Sequence, residues 1–226
     1  MISVLMPYYD RAKQLEATLE SYEAYYRDVD YEVILVEDRK NLLDDHMHDD
    51  LLDTLHRHNK IHNNLVVNTS YKGYAPGAHY NLAAKLARGD TLVLTNPEIR
   101  HTCKILPYLE GKDVYEVCAC LALNADGSVE QWYQHSAYNP RCLHFCSAIS
   151  ADTYAKVGGF DTDFFEGWGY DDNSFVEQVR RAGIPILQRD DLLTHHLHHD
   201  RSYNMDPDTL NALLEKNREK YVSKWG

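Results

Sequence analysis

Apolar residues recur along the first hundred positions with two alternating rhythms. Residues 2–6 form a short apolar run closed by Pro7, the pattern of a buried strand. Leu15, Leu19, Tyr22 and Tyr26 follow at three- and four-residue steps, which predicts a helix over 11–26 with one buried face. The alternation continues with a strand over 31–36 and a polar helix over 45–58, its Leu51, Leu52 and Leu55 inward. A strand over 65–68, an alanine-rich helix over 77–88 and a strand over 91–95 come next. Strands alternating with helices predict right-handed crossovers and a parallel sheet, whose ligands bind beyond the carboxyl ends of the strands. Pro7-Tyr8-Tyr9, Glu37-Asp38 and Asn96-Pro97-Glu98 all fall at such ends.

After Glu98 the rhythm changes. The pattern predicts a short helix over 102–110, then strands over 114–123 and 129–134 joined by the turn Asn124-Ala125-Asp126-Gly127. A strand over 143–149 and late strands over 185–188 and 192–197 complete the set. Asp206-Pro207 opens a last helix with Leu210, Leu213 and Leu214 inward. No repeat or linker interrupts the chain, so the expectation is one α/β domain over 1–226 with a mixed, mostly parallel sheet.

Residues 158–183 stand apart from this scaffold. Two glycines lead into Phe160, Phe164, Phe165, Trp168 and Tyr170, then into the adjacent acids Asp171 and Asp172. From Ser174 the pattern is helical, with Phe175, Val179 and Ala182 on one face, so Asp172 or Asn173 is expected to cap that helix. An aromatic wall followed by carboxylates at a helix start suits binding a polar ring and removing a proton from it. An acidic pair alone is more often a solvated loop; here the order of elements favours chemistry.

The net charge of −12 argues against a broad nucleic-acid-binding surface. Five cysteines without CxxC spacing, Cys118 and Cys120 on one strand face, read as buried thiols of a reducing compartment. With no long apolar run, no leader pattern and a negative mean hydropathy, the expected location is cytoplasmic. Histidines cluster at His46 and His48, read as a solvated helix start, and at His195, His196, His198 and His199.

Gly158, Gly159, Phe160, Asp161, Trp168, Gly169, Asp171 and Asp172 resemble the acceptor-side segment of GT-A glycosyltransferases, especially inverting bacterial sugar transferases and β-1,4-galactosyltransferases. Residues 2–9 and Val36-Glu37-Asp38 resemble the nucleotide-sugar half of the same fold. The resemblance implies a nucleotide-diphospho-sugar donor held by residues 1–100 and an acceptor held by 101–226. It places Pro7, Tyr9, Arg11, Asp38, Asn81 and Asn96 at the donor, with Tyr80 where the family has an arginine. Asn96-Pro97-Glu98 stands where the family has Asp-x-Asp, which implies that Glu98 binds Mn²⁺ or Mg²⁺. A histidine from the late run would complete the site: His196, with His198 or His199 beside it. Asp172 matches the base of an inverting transfer, and Trp168, Gly169 and Asp171 the acceptor contacts. The acceptor stays open: an oligosaccharide, a protein, a small molecule or a modified nucleic acid base. Two other readings remain, a nucleotidyltransferase and a non-catalytic nucleotide-sugar-binding domain.

Overall fold

A computed structural model describes residues 1–38, 45–68, 75–200 and 206–226. In its first half β1 (Ile2–Tyr8), α1 (Ala12–Tyr25), β2 (Tyr31–Asp38), α2 (Asp45–Arg57), β3 (Asn63–Asn68), α3 (Gly77–Leu86) and β4 (Thr91–Thr95) alternate as the apolar rhythm predicts. β1 lies parallel to β2 and β4, and β2 parallel to β3. The strands are nearly continuous apolar runs because helices cover both faces of the sheet. One core layer packs Leu15, Leu19 and Tyr22 of α1 on Val4, Met6, Val33 and Leu35. The other packs Tyr80 and Ala83 of α3 on Leu5, Ile34, Val36 and Leu94. Leu51 is buried as expected, but Leu52 faces solvent.

The second half extends the sheet with both polarities. Its strands are β5 (Ile99–His101), β6 (Tyr115–Leu123), β7 (Val129–Gln134), β8 (Cys146–Ser150) and β9 (Ile186–His196). The strand order is β3-β2-β1-β4-β8-β6-β9-β5, with β7 on β6. β8 runs antiparallel to both β4 and β6, and β9 parallel to β6. The carboxyl ends of β1, β2, β4, β6 and β9 therefore open on one edge. Helices α4 (Ala151–Val157), α5 (Asp171–Arg181) and α6 (Pro207–Trp225) complete the chain.

Several boundaries differ from the sequence pattern. The helix expected over 102–110 is one 3-10 turn, Leu106–Tyr108. The two late strands are a single strand, β9, with a bulge: Cys118 pairs with Arg189, and the next residue, Ala119, with Leu193. Arg189 bonds both Glu116 (2.7 Å) and Asp191 (2.9 Å), which ties the extra residues down. β5 is too short to show periodicity, and α4, capped by Ser150 accepting from the Thr153 N–H (3.2 Å), went unforeseen. Asp206 caps α6 as expected, accepting from the Thr209 N–H (2.9 Å). The inward face of α6, however, centres on Asn217, while Leu214 is exposed. The five cysteines are free thiols, and Cys118, Cys120, Cys142 and Cys146 are buried. No helix among the described residues is long and apolar enough to cross a membrane.

Candidate active site

Strand register assembles the first part of the site. Asn96-Pro97-Glu98 turns β4 into β5, and Ile99 of β5 pairs with His196, the last residue of β9. The Leu197 N–H then donates to the Glu98 carbonyl (2.9 Å), which draws the chain after β9 back over Glu98. Glu98 Oε1 lies 3.7 Å from His196 Nε2 and 3.8 Å from His199 Nε2. One ligand atom from each of the three residues falls within 4.8 Å of the others. Of the two alternatives beside His196, His199 rather than His198 comes to Glu98. Alternation would set His196 and His198 on one face, but β9 ends at His196 and the residues after it are no longer strand. His198 is left exposed, its carbonyl accepting from Gln14 Nε2 (2.9 Å).

Burial raises the Glu98 carboxyl above its ordinary range, against the pull of His199 and Arg11. Burial likewise lowers His196 to about 4, helped by His199 and Arg11. A neutral imidazole offers a lone pair, the form a metal ligand needs. Two imidazole nitrogens and a carboxylate oxygen fit Mn²⁺ better than Mg²⁺, which favours oxygen.

The residues expected at the donor border the same edge. Pro7 lies within β1 opposite Val36, and Asp38 ends β2 opposite Asn68. Tyr9 is exposed beyond β1. Arg11 precedes α1, and its guanidinium donates to the carbonyls of Asp10 (2.7 Å) and Asp200 (3.1 Å). Asn96 Oδ1 accepts from the Tyr80 hydroxyl (2.8 Å), which also reaches the Thr95 carbonyl (2.8 Å). Asn81, expected at the donor, is bonded here to Phe160 and Tyr154. Its Nδ2 donates to the Phe160 carbonyl (2.8 Å), and its Oδ1 accepts from the Phe160 N–H (2.8 Å) and the Tyr154 hydroxyl (2.7 Å). Asn81 clamps the start of the acceptor-side segment onto α3. His48, read as solvated, bonds Glu37 Oε2 through Nδ1 (2.7 Å), and the side chain of His46 lies outside the described residues.

The acceptor-side segment is held in place by its own aromatics. Phe160 stacks between Tyr80 (5.1 Å) and Phe175 (4.5 Å), and His144 meets it edge-on (5.2 Å). Gly169 and Tyr170 both adopt positive φ, so the chain reverses sharply into α5. Tyr170, not Asp172 or Asn173, occupies the cap position, and no side chain caps the helix.

The two acids that open α5 face different surroundings. Asp171 is 3 % exposed, and its Oδ2 accepts from the Gly77 N–H at the start of α3 (3.2 Å). In this structure the carboxyl of Asp171, the residue expected at the acceptor, braces α5 on α3. Asp172 is half-buried, with Oδ1 accepting from the Asn173 N–H (2.7 Å). Trp168 and Gly169 are partly exposed just before the acids. His144 was not singled out by sequence; burial lowers its pKa, and the charge of Asp172 opposes that shift.

Burial, then the charge of Asp172, raise the Asp171 carboxyl to about 7. Folding therefore favours the protonated form. The stability this gives is complete below the unfolded pKa and is lost as pH rises toward the folded value, by ~1.4 kcal/mol per pH unit. Asp171→Asn keeps an acceptor for Gly77 and removes the titration. The variant is expected to gain stability over the native chain between pH 5 and pH 8. Denaturant melts at both pH values measure this, and an unchanged difference would show that Asp171 does not titrate in that window.

The fold is that of the GT-A glycosyltransferases. Two solved structures share it. One is the mannosyltransferase PcManGT from Pyrobaculum calidifontis in complex with GDP-Man and Mn²⁺, at 17% identity and TM-score 0.69. That match covers 100% of this chain and 65% of the other. The second is GalNAc-T7 with UDP, GalNAc and Mn²⁺, at 13% identity and TM-score 0.69, covering 96% and 47%. The chain thus spans less than two thirds of either structure's length. More specifically, residues 129–200, from β7 through the His195–His199 run, match the family model described as the N-terminal domain of galactosyltransferase. No curated protein matches the chain by sequence alone.

Proposed function

We propose that this chain is a metal-dependent inverting glycosyltransferase that moves a sugar from a nucleotide-diphospho-sugar to an acceptor hydroxyl. The observation that carries the reading is the union of Glu98, His196 and His199 at the sheet edge where β1 and β2 also end. In this reading residues 1–100 hold the donor, with Pro7, Tyr9, Arg11 and Asp38 around the nucleotide and Asn96 beside it. Residues 101–226 hold the acceptor against Trp168 and Gly169. Glu98, His196 and His199 hold Mn²⁺, which when bound supplies Lewis-acid stabilisation to the departing diphosphate. Arg11 adds fixed positive charge on that side. Asp172 takes the proton of the attacking hydroxyl, so that bond formation and proton loss occur together.

The solved structures that share the fold hold GDP-Man or UDP together with Mn²⁺, which supports a nucleotide-sugar donor here. Thermal unfolding with a panel of UDP-, GDP-, dTDP- and CDP-sugars, each with Mn²⁺, tests the reading. One donor at a hundred times its dissociation constant should add about 2.7 kcal/mol of stability. Asp38→Ala should lose most of that gain while its ligand-free melt stays near native. If no donor stabilises the protein or is hydrolysed, the reading fails.

A further inference from the structure

Helix α6 touches the acceptor-side segment along most of its length. Lys224 pairs with Asp161 (2.5 Å) and Asp163 (3.0 Å), and Lys216 with Glu166 (3.1 Å). The Trp168 N–H donates to the Leu213 carbonyl (3.2 Å), Tyr170 packs on Tyr221 (5.4 Å), and Trp225 Nε1 donates to Ser174 Oγ (3.0 Å). At the centre is Asn217, the only buried residue of α6, with no measurable exposure. Its Nδ2 donates to the carbonyls of Phe164 (2.9 Å) and Gly169 (2.6 Å). Its Oδ1 is buried and accepts no hydrogen bond among the described residues.

The unpaired Oδ1 is costly, but an apolar residue there would take the Nδ2 donor from the Phe164 and Gly169 carbonyls. The two donors are therefore what the amide provides. They reach the carbonyls on either side of Gly167-Trp168, immediately before the left-handed pair Gly169-Tyr170 that aims α5. The contact leaves no room on the segment side: a Cβ on Gly167 would lie 2.0 Å from Asn217 Oδ1.

We propose that Asn217 is a positioning residue for the transfer reaction: by holding the Phe164 and Gly169 carbonyls it fixes the turn that presents Trp168 and Asp172. The role rests on the glycosyltransferase reading above and adds a part to it, a C-terminal helix that shapes the acceptor side while leaving the donor side alone. Asn217 touches the turn at Phe164, Gly167 and Gly169 and acts through it.

Asn217→Ala removes both donors without adding bulk, whereas Gly167→Ala strains the same contact from the segment. Hydrogen exchange of the full chain should show amides of 164–172 exchanging at least tenfold faster in both variants, with β1, β2 and β4 unchanged. Donor hydrolysis, with the UDP- and GDP-sugars of the panel and water as acceptor, should lose at least tenfold in kcat with KM for the donor unchanged. Exchange that stays native in 164–172, or rises equally throughout the chain, overturns the proposal. So does a loss in which kcat and KM move together. If no donor of the panel stabilises the native chain or is hydrolysed by it, the glycosyltransferase reading falls, and hydrogen exchange still decides whether Asn217 holds the turn.

Discussion

Asp172→Asn is expected to transfer sugar at no more than about one hundredth of the native rate, the lower range for losing a positioned base. Asparagine keeps the size of the side chain and can still accept from the Asn173 N–H, but it cannot take up the acceptor proton at neutral pH. The choice of Asp172 over its neighbour follows from their surroundings. Asp171 is buried on the Gly77 N–H and tends to keep its proton, whereas Asp172 stands partly open at the end of the aromatic segment. Two adjacent carboxyls in such different settings divide naturally into a brace and a base. The amino end of α5 favours negative charge at its first turn by roughly 0.3–1 kcal/mol. Nucleotide and Mn²⁺ affinities should stay near native, because those sites lie on other strands, so the loss should be in kcat. Transfer above about a tenth of the native rate would move the base elsewhere, with Glu166 the next acid along the segment.

The parts of this protein that were legible in its sequence are those set by repeated local patterns. Apolar runs alternating with three- and four-residue periodicity gave the first four strands, α1 and α3. Asp206-Pro207 marked α6, because a capping carboxylate followed by proline is a local signal. What was hidden depends on tertiary register. The bulge at Asp190–Leu192 fuses two apparent strands, since Arg189 reaches Glu116 on the neighbouring strand and Asp191 within its own. His199 rather than His198 stands beside Glu98 because β9 stops at His196, a boundary that alternation cannot reveal. The cap of α5 falls on Tyr170 because the turn before it is held by Asn217 some fifty residues away in sequence, and no nearby residue announces that. Asn81 was placed at the donor by a partly matching segment, and its three bonds to Phe160 and Tyr154 appear only when α3 meets the Gly158–Gly159 turn.

Glu98→Gln should weaken Mn²⁺ binding by at least about tenfold. Changing an outer partner of a metal ligand already costs 10–100-fold, and Glu98 is assigned as a direct ligand. Isothermal titration with Mn²⁺ reads this without any sugar donor. The metal-free melt separates a ligand from a structural ion pair. At 3.7 and 3.8 Å, the contacts of Glu98 with His196 and His199 are too long to be hydrogen bonds, so little pairing is lost on substitution. Burial already raises the Glu98 carboxyl, so neutralising it relieves a desolvation cost. The metal-free variant should therefore melt at or above the native temperature even as its metal affinity falls. A lower metal-free melt with unchanged Mn²⁺ affinity would make Glu98 a structural group and end the metal assignment. The histidines give a second check on the same corner. His199→Ala should reproduce the loss of Mn²⁺ affinity, whereas His198→Ala, which alters an exposed ring, should leave it within about twofold, because substitutions on open surface rarely propagate. Equal losses in the two variants would return the site to the alternation read from the sequence.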